Sequence, residues 1–172
     1  MATTSALLTV EEYLKTVYRP DCDFVDGELE ERNVGEHDHG YMQILIGAWF
    51  LSHQKAWNTH PVSEQRIRVS RRRVRIPDIC ITPADAPREQ VAVTPPMLCI
   101  EILSPEDRLS RTTKVMGDFA AMGVPNLWII DPYQRIGYVY TPPDTLKLVT
   151  ERLTIPGTPI YLDLPTLFAE LD

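Results

Sequence analysis

An α/β fold follows from three features of the chain. The run Met97–Leu103 is apolar throughout except for one glutamate, as expected of a central strand covered on both faces. Residues 111–122 then repeat apolar side chains at helical spacing, and a second apolar run, Leu127–Ile130, follows them. Further upstream, Gly40–Trp57 carries Met42, Ile44, Leu45, Ile46, Trp49, Phe50 and Leu51 on nearly every side, which predicts a helix packed against a sheet on more than one face.

The elements can be placed in order. Thr9 and Glu12 form a capping box that predicts a helix from Val10 to Val17, ended by Pro20. Cys22–Arg32 contains two short extended runs around Asp26-Gly27, the signature of a β-hairpin. Gly35–Gly40 reads as a polar loop before the long helix. Glu64–Val69 and Val74–Ile81 are β-branched runs that predict two strands, with Ser70–Arg73 as their turn. Pro83–Pro96 is a proline-rich surface loop, and Ser104-Pro105 ends the central strand. Gly123 closes the helix over 111–122, and Asp131-Pro132 ends the strand that follows. Ile136–Tyr140 and Leu146–Thr150 are further strands, and Leu164–Leu171 is a terminal helix.

With 172 residues, 44% of them hydrophobic and 24% charged, the chain has enough apolar material for one core, and we expect a single domain over 1–172. It contains no repeat or linker. No apolar run reaches bilayer length and the first residues lack the pattern of a secretory signal, so the expectation is a cytoplasmic protein that does not engage a membrane. Cys22, Cys80 and Cys99 are too widely spaced for a disulfide framework or a zinc site. The net charge of -7 argues against a protein that coats nucleic acid by electrostatics alone. The charge is nonetheless polarised, because Arg66, Arg68, Arg71, Arg72, Arg73 and Arg75 fall together with no acid among them. Such a run suits either a strand pair facing phosphate or a solvated hairpin.

Two carboxylates interrupt runs otherwise suited to burial. Asp78 stands in Ile76-Pro77-Asp78-Ile79-Cys80-Ile81, and Glu101 in Cys99-Ile100-Glu101-Ile102-Leu103. A buried carboxylate needs a partner, and Pro77, which cannot donate to a ladder, suggests an edge or bulge. Glu101 shares a strand face with Cys99 and Leu103, while Ile100 and Ile102 point the other way. Two neighbouring carboxylates repel unless a positive charge lies beside them. A hard divalent cation such as Mg²⁺ fills that role, and it polarises a phosphodiester oxygen and activates a bound water. Lys114, on the following helix, is the candidate to orient that water or stabilise developing charge.

These residues, in the order Pro77-Asp78, Ile100-Glu101-Ile102-Leu103-Ser104-Pro105, Lys114 and Gly123-Val124-Pro125-Asn126-Leu127-Trp128-Ile129-Ile130-Asp131-Pro132, resemble the PD-(D/E)XK nuclease superfamily, and within it the Uma-type restriction endonuclease family. Asp26-Gly27-Glu28-Leu29 and His39 extend the likeness over most of the chain. It implies a restriction-endonuclease-like mixed β-sheet flanked by helices. It also implies Asp78 and Glu101 as ligands of Mg²⁺, with Mn²⁺ as a substitute, and the carbonyl of Ile102 as a third ligand. Lys114 would be a catalytic lysine moved from strand to helix. The superfamily motif places lysine two residues after the glutamate, where this chain has Leu103. Uma-type sequences place the substitute one position beyond Lys114, where it has Val115.

The resulting expectation is a Mg²⁺-dependent endonuclease that hydrolyses DNA through Asp78, Glu101 and Lys114, without an organic cofactor. It would act as a homodimer, since enzymes that cut two strands are often symmetric pairs. Each residue also has an ordinary alternative. Asp78 and Glu101 could pair with Arg75 or Arg66, and Lys114 with Asp118 four residues on. Glu28 is either an additional acid at the site or a solvated turn residue, and His39 either reaches the site or simply opens a helix. Ser104 either contacts phosphate or caps the next helix, and Asp131 fits a turn better than catalysis. Two rival functions remain: a catalytically weak or inactive nuclease-fold protein that binds nucleic acid or a partner protein, and a metal-free carboxylate enzyme such as a glycosidase, for which an aromatic sugar platform is missing.

Overall fold

The computed structural model describes residues 7–32, 35–105 and 109–172. The opening residues 1–6, from which the sequence argues against a leader, lie outside them. Helix α1 (Val10–Leu14) starts with the expected capping box: the Thr9 hydroxyl accepts from the Glu12 N–H, and the Glu12 carboxylate accepts from the Thr9 N–H. It stops short of Val17 because Thr16 and Val17 are β-branched and extend a helix poorly. Strands β1 (Cys22–Val25) and β2 (Glu28–Glu31) form the expected hairpin. Asp26 and Gly27 at its turn have φ of 54° and 102°, the positive values that a two-residue turn requires.

Helix α2 (His37–Trp57) begins within the segment expected to be a loop. It does not pack on several sides. Met42, Ile46 and Phe50, four residues apart, are fully buried, whereas Ile44 and Leu51 are 67% and 53% exposed. Sequence alone missed the next strand, β3 (Thr59–Ser63), because Pro61 reads as a breaker; the proline is tolerated because β3 is the outer strand of its sheet. Strands β4 (Ile67–Ser70) and β5 (Arg73–Arg75) flank the Arg71-Arg72 turn.

The expected strand Val74–Ile81 is in fact two strands. β5 ends at Arg75, and β6 (Ile79–Pro83) opens in a different sheet, with Pro77 at the switch. After β7 (Leu98–Ile102) come α3 (Leu109–Met122) and β8 (Leu127–Asp131), with Gly123 at φ 107° closing the helix as anticipated. The chain continues through β9 (Ile136–Thr141) and β10 (Thr145–Val149). It then forms a pair not foreseen from sequence, β11 (Arg152–Thr154) with β12 (Tyr161–Asp163), and ends in α4 (Leu164–Ala169).

The larger sheet has the order β10-β9-β8-β7-β6-β3, and the smaller one β2-β1-β5-β4. The larger sheet is mixed, since β7 and β8 run parallel, joined by α3, and their other neighbours run antiparallel. One face, carrying Ile79, Ile81, Ile100, Ile102 and Ile130, packs with Met42, Ile46 and Phe50 of α2 and with α4. The other, carrying Cys80, Cys99, Leu103 and Ile129, packs with Met116 and Phe119 of α3. The alternation read from sequence around Glu101 therefore holds. All three cysteines are free and buried, and burial pushes the Cys80 thiol up to about 12, which keeps it inert. No helix among the described residues is long and apolar enough to cross a membrane.

Candidate active site

Asp78 comes directly before β6, whose first residue Ile79 pairs with Ile100, the neighbour of Glu101 in β7, so both acids stand at the same end of two adjoining strands. The backbone around Asp78 is held after the ladder is interrupted at Pro77: its carbonyl accepts from Gln43 Nε2 at 3.0 Å and from the Glu64 N–H at 3.2 Å. The carboxylate, 4% exposed, accepts from two groups and has a third beside it. Arg32 Nη2 reaches Oδ1 at 3.0 Å, His39 Nε2 lies 3.3 Å from Oδ2, and the Ile102 N–H donates to Oδ2 at 2.7 Å.

His39 and Gln43 are one turn apart on α2, so one helix face grips both the side chain and the backbone of Asp78. Gly35 makes room for this, since a Cβ there would stand 2.7 Å from His39 Nδ1. Arg32, directly after β2, is held by its backbone N–H, which donates to the Asp21 carbonyl at 3.1 Å. Burial works to lower the pKa of its guanidinium, but the charges of Asp78 and Glu101 prevail and raise it.

Asp78, Glu101, Arg32, His39, Ile102, Ser104 and Asp23 line one pocket, which the first turns of α3 close with Arg111, Thr112 and Val115. Asp23 is buried in the pocket wall, where desolvation raises its carboxyl pKa against the pull of Arg75. Of the residues nominated from sequence, the structure brings together Asp78, Glu101, Ile102, His39 and Ser104. It does not bring in the other two. Lys114 is exposed on α3 while Arg111 and Val115 on the same helix face the pocket, and Glu28 is exposed beside the hairpin turn.

The ordinary alternatives also change partners. Arg75, 4% exposed, pairs with Asp23, Glu30 and Asp118, and Arg66 donates to the carbonyls of Leu14 and Thr16, so neither holds Asp78. Asp118 is bound by Arg73 and Arg75 rather than by Lys114. Asp131 accepts from the N–H groups of Tyr133 and Gln134 and is a turn residue. Much of the arginine run is thus spent within the chain, since Arg72 also donates to the Asp26 carbonyl and Arg73 to its carboxylate. Sequence reasoning missed Arg32, Arg111 and Asp23. Only Asp23, an acid between Cys22 and Phe24, carried a local signal.

Among the described residues no group of three or more His, Cys, Asp and Glu side chains forms a ready metal cluster. The donor set that does converge, two carboxylates beside the backbone of Ile102, consists of hard oxygen atoms. That chemistry suits Mg²⁺, which takes one or two protein carboxylates and keeps several waters.

A crystal structure of a protein from Anabaena variabilis ATCC 29413, described as "a putative nuclease", shares the fold at a TM-score of 0.84 and 23% identity, covering 96% of this chain and 99% of that one. No curated protein matches the chain. The Uma2 family, described as "putative restriction endonuclease", matches residues 10–167, a span that takes in the hairpin, both site strands and α3. The mixed sheet is thus shared with that crystal structure, and this chain is a member of the Uma2 family.

Proposed function

We propose that the protein is a metal-dependent endonuclease that hydrolyses phosphodiester bonds in DNA, with Asp78, Glu101 and the carbonyl of Ile102 holding Mg²⁺, or Mn²⁺ in its place. The observation that carries this reading is the meeting of Asp78 and Glu101, from the same end of adjoining strands, in one pocket that also holds the cations Arg32 and Arg111. When bound, the ion would act as a Lewis acid on a phosphate oxygen and lower the pKa of a bound water. The chain's own residues divide the remaining work. His39, Gln43 and the Ile102 N–H fix the orientation of Asp78, and Arg32 and Arg111 supply positive charge for phosphate. Ser104, buried at the end of β7, can donate to the same group, and Lys114 stands outside the pocket where it can meet the DNA backbone.

The test is cleavage of plasmid DNA by wild type, Asp78→Asn and Glu101→Gln with Mg²⁺, with Mn²⁺ and with EDTA. We expect ion-dependent cleavage by wild type and a loss of about a hundredfold or more in each variant, with circular dichroism unchanged. Cleavage that persists in EDTA would overturn the proposal. A second reading, a nuclease-fold protein that binds DNA or a partner protein without cutting, is favoured by Val115 in the pocket and by Arg32 on Asp78. It predicts binding with no product under any ion.

We also propose a homodimer. The outward face of α2, with Ile44 and Leu51 exposed, adjoins Val62 on the outer strand β3, an apolar surface that a second copy would cover.

A further inference from the structure

Two carboxylates set side by side in a buried site require a positive charge, and this protein carries one of its own. Arg32 Nη2 is 3.0 Å from Asp78 Oδ1, with side chains only 18% and 4% exposed. On the other oxygen, Oδ2, the carboxylate already accepts the Ile102 N–H at 2.7 Å, with His39 Nε2 at 3.3 Å. Oδ1 is therefore the less crowded oxygen, and the guanidinium sits on it. Arg32 and a divalent ion on the same carboxylate would repel each other strongly, since like charges held close together in a site shielded from bulk water are poorly screened.

We propose that Arg32 is a tethered counter-cation: it occupies Asp78 in the metal-free protein, competes with the divalent ion for it, and thereby sets the ion affinity of the site. The inference rests on the metal reading given above and adds a regulator to it. The tether is short, because Arg32 directly follows β2 and its backbone N–H is bonded to Asp21. Asp78 and Glu101 both act on the guanidinium, so it offsets half of the charge that a divalent ion would balance in full. An arginine that served only to hold the fold would behave in the opposite way, because its loss would loosen the carboxylates and weaken ion binding.

The two roles thus differ in sign, and ion affinity separates them without reference to cleavage. Mn²⁺ binding is measured by calorimetry, and by the paramagnetic resonance of free Mn²⁺, for wild type, Arg32→Gln and Arg32→Lys, and for the first two in an Asp78→Asn background. Arg32→Gln is expected to bind Mn²⁺ about tenfold or more tightly than wild type. Its melting temperature should be lower without the ion and recover with it. Arg32→Lys, which keeps the charge but not the planar fork, should fall between wild type and Arg32→Gln, and it serves as the decisive variant if Arg32→Gln does not fold. Equal or weaker binding by both Arg32 variants overturns the proposal while leaving the metal site standing. Absence of Mn²⁺ binding by any of the proteins, or binding that survives Asp78→Asn, overturns the metal reading itself and the role of Arg32 with it.

Discussion

Tyr13 is fully buried, and its hydroxyl donates to the Cys22 carbonyl at 2.7 Å. Burial raises its pKa to about 12, although the nearby Arg66 pulls it down. Because the folded value lies above the unfolded value near 10, the folded state holds the proton more tightly. Its contribution is complete below about pH 10 and is lost as the pH rises towards 12. Urea titrations across that range should show wild type losing roughly 2 kcal/mol more than Tyr13→Phe; parallel curves would show that the tyrosine is not the titrating group. At the site, Lys114→Ala is expected to lower DNA cleavage by no more than about threefold, through the loss of one phosphate contact outside the pocket. A loss of tenfold or more would place the lysine in the chemistry despite its exposure. Asp78 and Glu101 were legible in the sequence because each puts a charge into an apolar run. Arg32 and Arg111 were not, because an arginine in a polar segment is ordinary until a carboxylate from a distant segment is found beside it.

Among the elements, β5 is short but binds the small sheet to α3. Arg75 reaches Asp23 on β1, Glu30 on β2 and Asp118 on α3, and Arg73 reaches Asp118 and Asp26. Removing a cation from such a buried group leaves carboxylates without compensation, so Arg75→Ala should cost about 3–5 kcal/mol in chemical denaturation. A loss below about 1 kcal/mol would mean that the network contributes little. The hairpin over 22–31, the end of α3 at Gly123 and the central strands could all be read locally, because turn residues and apolar runs carry their own signals. The strand at 59–63 and the break at 76–78 could not, since a proline at an outer strand and a proline at a switch between sheets look alike until strand order is known.

For the molecule as a whole, the proposed pairing of two copies through the apolar face of α2 beside β3 can be measured. Light scattering after gel filtration should give about twice 19.6 kDa for wild type and close to 19.6 kDa for the double variant Ile44→Glu, Leu51→Glu. A wild type that stays at monomer mass at high concentration would remove the dimer, though not the site. The chain by itself determined the α/β class, the position of most helices and strands, the face on which Glu101 lies and two of the three acids that line the pocket. Each of these follows from local periodicity and from the cost of burying a charge. Tertiary structure alone decided that Arg32 and His39 meet Asp78, that Lys114 stays in solvent and that most of the arginine run turns inward to partners in its own chain. These outcomes depend on strand order and helix rotation, which bring together residues far apart in sequence and leave no mark on the residues adjacent to them.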